Sequence, residues 1–180
     1  ETPPDVPLLL AMGRLHEAKA HDVTLQALTE LPDAWLWIAG VGPLEAKLRA
    51  MAQALGVAER VRFLGWRTDA SALYRTADVC VFPSRYEPLG NVVIQSWAHG
   101  LPVVAAASQG PQALIEDGKD GVLVPVDDAA ALAAGVRQLV ASPALRKQFA
   151  ARGLGRVEAE FSEAAVVAQW KALFADYEAI

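Results

Sequence analysis

The chain has 180 residues, a formal net charge of -5 and a hydrophobic content of 53%, which suit one globular domain with a continuous core. The acidic balance excludes a general nucleic-acid surface, because such a surface needs clustered Lys and Arg to displace counterions from phosphates. No apolar run approaches the roughly 18 residues of a membrane span, and the single cysteine, Cys80, excludes an internal disulfide framework and favours a reducing compartment.

The first residues lack the basic and apolar regions of a signal peptide. The opening Glu1-Thr2-Pro3-Pro4 is rich in proline and has no initiator Met, which is typical of a linker. We therefore expect residues 1–6 to be a linker remnant and the chain to be a domain of a longer protein.

Short apolar runs alternate with helical patterns along most of the chain. The predicted strands lie near 7–12, 34–39, 61–64, 78–82, 102–106 and 121–124. Such βα alternation predicts an α/β fold, with a Rossmann-like parallel β-sheet that carries helices on both faces. We expect this domain to span residues 7–160.

Two kinds of signal predict the helices. Apolar residues recur at helical spacing, as in the stripes Leu44, Leu48, Met51, Leu55 and Leu132, Val136, Leu139, Val140. Capping residues mark helix starts, with Gly42-Pro43 expected to open one helix, Ser142-Pro143 another and Ser162 the last. The last helix, within 161–180, has one apolar face, which is formed by Val166, Trp170, Leu173 and Tyr177. We expect it to pack back on the domain or toward an absent N-terminal domain.

The loops that follow the strands carry the unusual chemistry, because ligands of open parallel sheets bind beyond the carboxyl ends of the strands. The first loop begins Gly13-Arg14 and ends at Lys19. Gly13 allows a tight exit from the strand, and the two cations could grip two phosphate groups. The alternative for Arg14 and Lys19 is a pair of solvated surface cations.

The second loop, Gly40-Val41-Gly42-Pro43, partly matches a dinucleotide-binding fingerprint. The third glycine position of that motif is Glu45, and no suitable acidic partner follows about 20 residues on. We therefore exclude NAD. Gly42 either serves a plain turn or allows a close approach to a ligand.

The most informative segment is Ser84–Gly100, which predicts the end of a strand, a loop with a carboxylate at Glu87, and a helix that opens at Gly90-Asn91. A helix start presents unpaired N–H groups and the positive end of the helix dipole, so it suits a phosphate. Asn91 and Gln95 share one face of this helix, with Val92, Val93, Ser96 and Trp97 expected to point inward. Glu87 and Gln95 could equally be solvated surface groups.

Several enzyme classes find no support in the sequence. His16, His21 and His99 do not form a metal-ligand spacing with a second ligand, so we expect no metal site. The chain has no G-x-S-x-G nucleophile elbow and no P-loop motif.

Taken in order, G-R-L-x-x-x-K, G-x-G-P, V-R-F-L-G-W, A-D-V-C-V-F-P-S, E-P-L-G-N-V-V-I-Q and G-L-P-V-V-A resemble the C-terminal, donor-binding domain of retaining GT-B glycosyltransferases. The likeness is to the large family numbered four, which includes bacterial lipopolysaccharide-core transferases, and it covers residues 7–174. It implies a nucleotide-diphosphate sugar as donor substrate, no required cofactor, and no metal.

The resemblance also implies roles for individual residues. The catalytic side chains would be Arg14 and Lys19, which neutralise the donor diphosphate, and Glu87, which contacts sugar hydroxyls. The contacts with the donor would come from Gly13, Gly42, Trp66, Arg67, Gly90, Asn91, Val92 and Gln95. Trp66 lies where similar proteins bind the base, although it could also be ordinary core.

Gln95 departs from the family pattern, which has a second glutamate at this position that accepts hydrogen bonds from ribose hydroxyls. A glutamine keeps a carbonyl acceptor of the same length but loses charge-assisted strength, a difference on the order of 1 kcal/mol. We expect this loss to weaken nucleotide binding and not to abolish the chemistry.

The expected partners are the nucleotide-sugar donor and the chain's own N-terminal GT-B domain, not nucleic acid. The resemblance implies a cytoplasmic location, with membrane contact through the other half as an open alternative. Two other functions also stay open: a non-hydrolysing nucleotide-sugar epimerase, and a catalytically silent binding module.

Overall fold

The computed structural model describes the backbone of residues 2–178 and the side chains of residues 2–175. Its strands are all paired in parallel, in the order β3-β2-β1-β4-β5-β6. They are β1 (Leu8–Met12), β2 (Trp35–Ala39), β3 (Val61–Gly65), β4 (Val79–Phe82), β5 (Val103–Ala106) and β6 (Val122–Val124). Every predicted strand is confirmed to within one residue at each end.

Helices cover both faces of the sheet, as predicted. They are α1 (His21–Thr29), α2 (Glu45–Ala54), α3 (Ala70–Thr76), α4 (Asn91–Ala98), α5 (Gln109–Leu114), α6 (Ala129–Ala141), α7 (Pro143–Arg156) and α8 (Glu163–Glu178). Successive strand residues alternate between the two faces. Leu9 packs in the core layer of α1, α2 and α6, whereas Leu10 packs in the layer of α3, α4 and α5.

The predicted helix starts are confirmed at Gly90-Asn91, Ser142 and Ser162 and wrong at Gly42-Pro43. The Ser142 and Ser162 hydroxyls each accept a hydrogen bond from the N–H group three residues later, at 3.2 Å. Helix α2 begins only at Glu45, with Leu44 as its N-cap. Gly42-Pro43 lies in the preceding turn, because the N–H group of Leu44 donates to the Leu15 carbonyl of the first loop at 3.1 Å.

The C-terminal third wraps the sheet up to the end of α7. Helix α6 packs on β4, β5 and β6, and α7 packs on α4 and α6. In α8 the side chains of Val166, Trp170 and Leu173 are exposed, and the Tyr177 side chain lies outside the described residues. The packing of 161–180 therefore stays a prediction. None of the helices between residues 2 and 178 has the length and apolar character that crossing a membrane requires.

Helix α7 meets the core at a position where only glycine fits. A Cβ atom at Gly153 would lie 2.2 Å from the ring of Trp97. That ring is fully buried, and its Nε1 donates to the Asp120 carbonyl at 2.9 Å. The ring is therefore held in place and cannot easily yield.

We expect Gly153→Ala to lower the free energy of unfolding by about 1–3 kcal/mol, the usual range for overpacking a core. Gly155→Ala is the matched control, because this glycine lies on the same helix and faces open space. Alanine there should raise the stability by up to about 1 kcal/mol through helix propensity. Urea unfolding measures both, and equal changes in the two variants would contradict the packing account.

Candidate functional site

A crevice opens where the strand order reverses, between β1 and β4 at the centre of the sheet. The chain leaves β1 toward α1 on one face and leaves β4 toward α4 on the other. Loops that diverge in this way leave a space beyond the strand ends, where open parallel sheets bind ligands. The predicted site residues come mainly from these two loops and from those after β2 and β3.

Backbone hydrogen bonds join the loops after β1, β2 and β3. The N–H group of Gly13 donates to Ala39 at 3.0 Å, that of Leu15 to Val41 at 3.1 Å, and that of Gly40 to Gly65 at 2.8 Å. A Cβ atom at Gly40 would lie 2.0 Å from the Gly13 carbonyl oxygen. The ladder of the sheet thus continues past the strands and fixes one rim of the crevice.

Gly42 serves the same contact between protein backbones. A Cβ atom at this position would lie 2.4 Å from the Leu15 carbonyl oxygen, so the close approach expected here is made by the first loop. A contact of Gly42 with a ligand stays a prediction.

A cavity of about 440 Å³ lies within the crevice. Six predicted site residues line it: Gly13, Arg14, Trp66, Arg67, Val92 and Gln95. The structure therefore brings together residues that are up to 82 positions apart in the sequence, since the carboxyl ends of parallel strands meet at one edge of the sheet.

The cavity combines cationic and aromatic groups. The Arg14 side chain is exposed and makes no hydrogen bond or ion pair within residues 2–175. Arg67, in contrast, is held by Asp69 in a two-pronged ion pair with N···O distances of 2.7 and 2.5 Å. Trp66 is 77% exposed, so it is not ordinary core. Arg14 and the Trp66 ring are thus available to a ligand.

A second cluster, formed by Lys19, Glu87 and Gly90, lies beside the cavity. The ammonium group of Lys19 contacts one carboxylate oxygen of Glu87, and the N–H group of Gly90 donates to the other at 3.2 Å. The Glu87 side chain is only 12% exposed, so it is not a solvated surface group. Because a Cβ at Gly13 would touch the Lys19 stem at 3.4 Å, this cluster borders the cavity wall.

Gln95 differs from the expectation in the orientation of its side chain. The Tyr74 hydroxyl donates to its Oε1 atom at 2.9 Å, so the carbonyl oxygen that a ligand was expected to use already has a partner. Val92 also differs, because it is half-buried and lines the cavity where it was expected to point inward. Asn91 and Gln95, which were predicted to share one face of this helix, are both exposed on α4.

Two residues of this region, Tyr74 and His21, were not among the site residues predicted from the sequence. Tyr74 is buried in α3 and lines the cavity, and burial raises the pKa of its hydroxyl, which stays a donor. A tyrosine among apolar helix residues is the signal that could have found it, because a buried hydroxyl needs a partner.

His21 begins α1 and is buried beside the backbone of Gly13 and Arg14. Neither ring nitrogen makes a hydrogen bond of normal geometry within the described chain. Burial lowers the pKa of His21 from 6.5 to about 4. The ring is therefore neutral at physiological pH and packs against the backbone of the first loop.

No group of three His, Cys, Asp or Glu side chains is arranged to hold a metal ion between residues 2 and 175. The expected absence of a metal requirement stays a prediction.

The family follows from a comparison with known proteins. The model of the family described as "Glycosyl transferases group 1" matches residues 6–142. The chain belongs to this family. The likeness of the ordered motifs to GT-B glycosyltransferases is thereby confirmed, and so is the fold, which matches solved GT-B glycosyltransferases.

Named relatives of this glycosyltransferase domain are about twice its length. The lipopolysaccharide core biosynthesis glycosyltransferase LpsE of Rhizobium meliloti (strain 1021) is 39% identical over 97% of this chain and 52% of LpsE. The D-inositol 3-phosphate glycosyltransferase of Mycobacterium marinum is 32% identical over 98% of this chain and 40% of that enzyme. The chain thus spans about half the length of the curated relatives it matches.

Solved structures show the same fold. Sucrose-phosphate synthase from Thermosynechococcus elongatus superimposes with a TM-score of 0.88 and 33% identity, over 98% of this chain and 47% of that one. Anabaena Alr3699/HepE, solved in complex with UDP-glucose, gives a TM-score of 0.89 over 96% of this chain and 49% of that one. At 23% identity the second likeness shows the fold alone.

The burial of His21 makes the stability of this glycosyltransferase domain depend on pH. With a folded-state pKa of about 4 against 6.5, the unfolded chain takes up the proton first as the pH falls. His21 should therefore remove about 3 kcal/mol of stability between pH 6.5 and pH 4. His21→Leu lacks this proton, so its stability relative to the wild type should rise by a similar amount over that range. Urea unfolding at several pH values measures the difference. If the stabilities of the two proteins changed equally with pH, the low pKa of His21 would be contradicted.

Proposed function

We propose that residues 7–160 are the donor-binding domain of a retaining glycosyltransferase, which moves a sugar from a nucleotide diphosphate to an acceptor hydroxyl. The observation that carries the proposal is the cavity itself. It joins the guanidinium of Arg14, which has no partner within residues 2–175, an exposed indole at Trp66 and residues of α4, beside the Lys19–Glu87 pair. Cations and a helix start suit a diphosphate, and an aromatic face suits a base.

The diphosphate would be held by positive groups from two loops. Cleavage of a sugar–phosphate bond builds negative charge on the departing diphosphate, and preorganised donors lower the barrier by stabilising it. Arg14 and Lys19 supply two cations. The N–H groups of Asn91 and Val92 precede the first hydrogen bond within α4, which runs from Val93 to Gly90, and they add the positive end of the helix dipole.

Glu87 would bind the sugar. Its carboxylate is held by Lys19 and by the N–H group of Gly90, and ionised oxygens are strong acceptors for sugar hydroxyls. An incoming diphosphate would draw Lys19 away from Glu87 and leave the carboxylate available. Lys19 would thus couple the binding of the phosphates to the release of the Glu87 carboxylate, which binds the sugar hydroxyls.

Relatives support the class of substrate and process. HepE was solved with UDP-glucose, and LpsE is named for lipopolysaccharide core biosynthesis, so we propose a UDP-sugar donor and a role in bacterial envelope glycan synthesis in the cytoplasm. We further propose that a second, N-terminal half supplies the acceptor site and any membrane contact, and that 161–180 packs against it through the exposed apolar residues of α8. Two cations at the diphosphate make a metal unnecessary.

Removal of the exposed Arg14 guanidinium tests the binding site. We expect Arg14→Ala to weaken UDP binding by about 10- to 100-fold, the range for loss of a charge-assisted hydrogen bond. Arg137→Ala is the matched control, because this arginine lies on α6 and pairs with Glu30. Calorimetry with UDP measures both. Equal losses in the two variants, or no saturable binding by the wild type, would count against the proposal.

The reaction itself is tested in the full-length protein. Incubation with a UDP-sugar and acceptor should transfer the sugar with the anomeric configuration of the donor, which NMR of the product reads directly. The same assay with Gln95→Glu separates an enzyme from a silent binding module. If both proteins bind UDP and neither transfers sugar to any acceptor tested, the module is the better account. An inverted product would refute the retaining mechanism, and an epimerised donor would indicate an epimerase.

A further inference from the structure

The side chain of Gln95 is oriented by a neighbour that the sequence did not reveal. The Tyr74 hydroxyl donates to Gln95 Oε1 at 2.9 Å, and both residues line the cavity. A glutamine amide has a carbonyl that accepts and an amino group that donates. The polarity that residue 95 presents to a ligand therefore depends on which end faces Tyr74.

Tyr74 is held firmly enough to impose this choice. It is 2% exposed, and its ring stacks on His99 with centroids 5.0 Å apart and planes inclined by 16°. His99 is itself fixed by two hydrogen bonds. Its Nδ1 atom is hydrogen-bonded to the backbone carbonyl of Gln95 at 2.7 Å, and its Nε2 atom to the Ser71 hydroxyl at 3.0 Å.

The hydrogen-bond requirement of the buried hydroxyl decides the orientation of the amide. With Oε1 toward Tyr74, the hydroxyl hydrogen has an acceptor. If the amide turned over, the hydroxyl could accept from Nε2, but its own hydrogen would lose the only acceptor that it has within residues 2–175. A buried donor without an acceptor is strongly disfavoured. The amino group consequently has no protein partner among these residues, and the Gln95 residue is exposed.

We propose that Tyr74 fixes Gln95 as a hydrogen-bond donor toward the cavity, so that residue 95 recognises an acceptor oxygen of the nucleotide and not a hydroxyl hydrogen. This inference rests on the proposed function, because it takes a nucleoside diphosphate as the ligand. Arg14 on the opposite loop is a second side chain of this cavity that offers donors to a ligand. A glutamate at 95 would reverse the polarity, since its carboxylate only accepts.

NMR of the ¹⁵N-labelled protein with UDP as the probe reads this polarity directly. The side-chain NH₂ signals of Gln95 are assigned by their absence in Gln95→Glu. On saturation with UDP we expect one Gln95 NH₂ proton to move downfield, because it becomes hydrogen-bonded to the ligand. The NH₂ signals of Gln53, exposed on α2, should not move. This measurement needs no variant other than the one used for assignment.

A double-mutant cycle then tests the role of Tyr74 as a positioning residue. We expect Tyr74→Phe to weaken UDP binding about 5-fold in the wild type, because the amide is then free to turn over. In the Gln95→Glu background the same change should weaken binding less than 2-fold, since a carboxylate has no donor end to orient. A purely structural role would weaken binding equally in both backgrounds and would overturn the proposal.

The outcomes separate this inference from the function on which it rests. UDP binding that shifts the backbone amides near residue 91 and leaves the Gln95 NH₂ signals unmoved would overturn the inference alone. Absence of UDP binding by the wild type would overturn both.

Discussion

The direct contact of protein backbones between the loops after β1 and β2 is the constraint on which the crevice depends. A single added Cβ at Gly40 would come within 2.0 Å of the Gly13 carbonyl oxygen, so the contact exists only because that position has no side chain. Gly40 also has a positive φ of 150°, which L side chains rarely adopt. This contact fixes the position of Arg14 relative to the sheet. The hydrogen bond from Gly40 to Gly65 likewise fixes the start of the loop after β3, which contains Trp66.

The other wall of the crevice is formed by the loop after β4 and the start of α4. It depends on a second close contact, at the start of α4. Gly90 adopts φ 92° and directs its N–H group to Glu87, while the N–H group of Gly110 donates to the Glu87 carbonyl at 2.7 Å. The carboxylate therefore lies between a helix start and Lys19 from the other wall. Because the two walls come from opposite faces of the sheet, this ion pair links them across the crevice, as does the pair of Arg85 with Asp22. Arg14 makes no ion pair within residues 2–175.

Much of this arrangement followed from the sequence, for physical reasons that are local. The apolar runs predicted all six strands within one residue, and the rule for parallel sheets brought Arg14, Trp66 and Gln95 to one cavity. The interactions that the sequence did not predict join residues far apart in the chain. Lys19 and Glu87 are 68 positions apart, and Tyr74 and Gln95 are 21 apart. The periodicity of apolar residues carries no information on such pairs. The start of α2 was predicted too early for the same reason, because the hydrogen bond from Leu44 to Leu15 could not be seen in the sequence.

The central claim is that a diphosphate binds across the two walls, between the cations of the first loop and the start of α4. A crystal structure of the protein with UDP tests it most directly. The account predicts diphosphate oxygens on the Arg14 guanidinium, on the Lys19 ammonium and on the N–H groups of Asn91 and Val92. A diphosphate bound outside the crevice, or one that leaves Lys19 paired with Glu87 alone and the α4 start uncontacted, would contradict it.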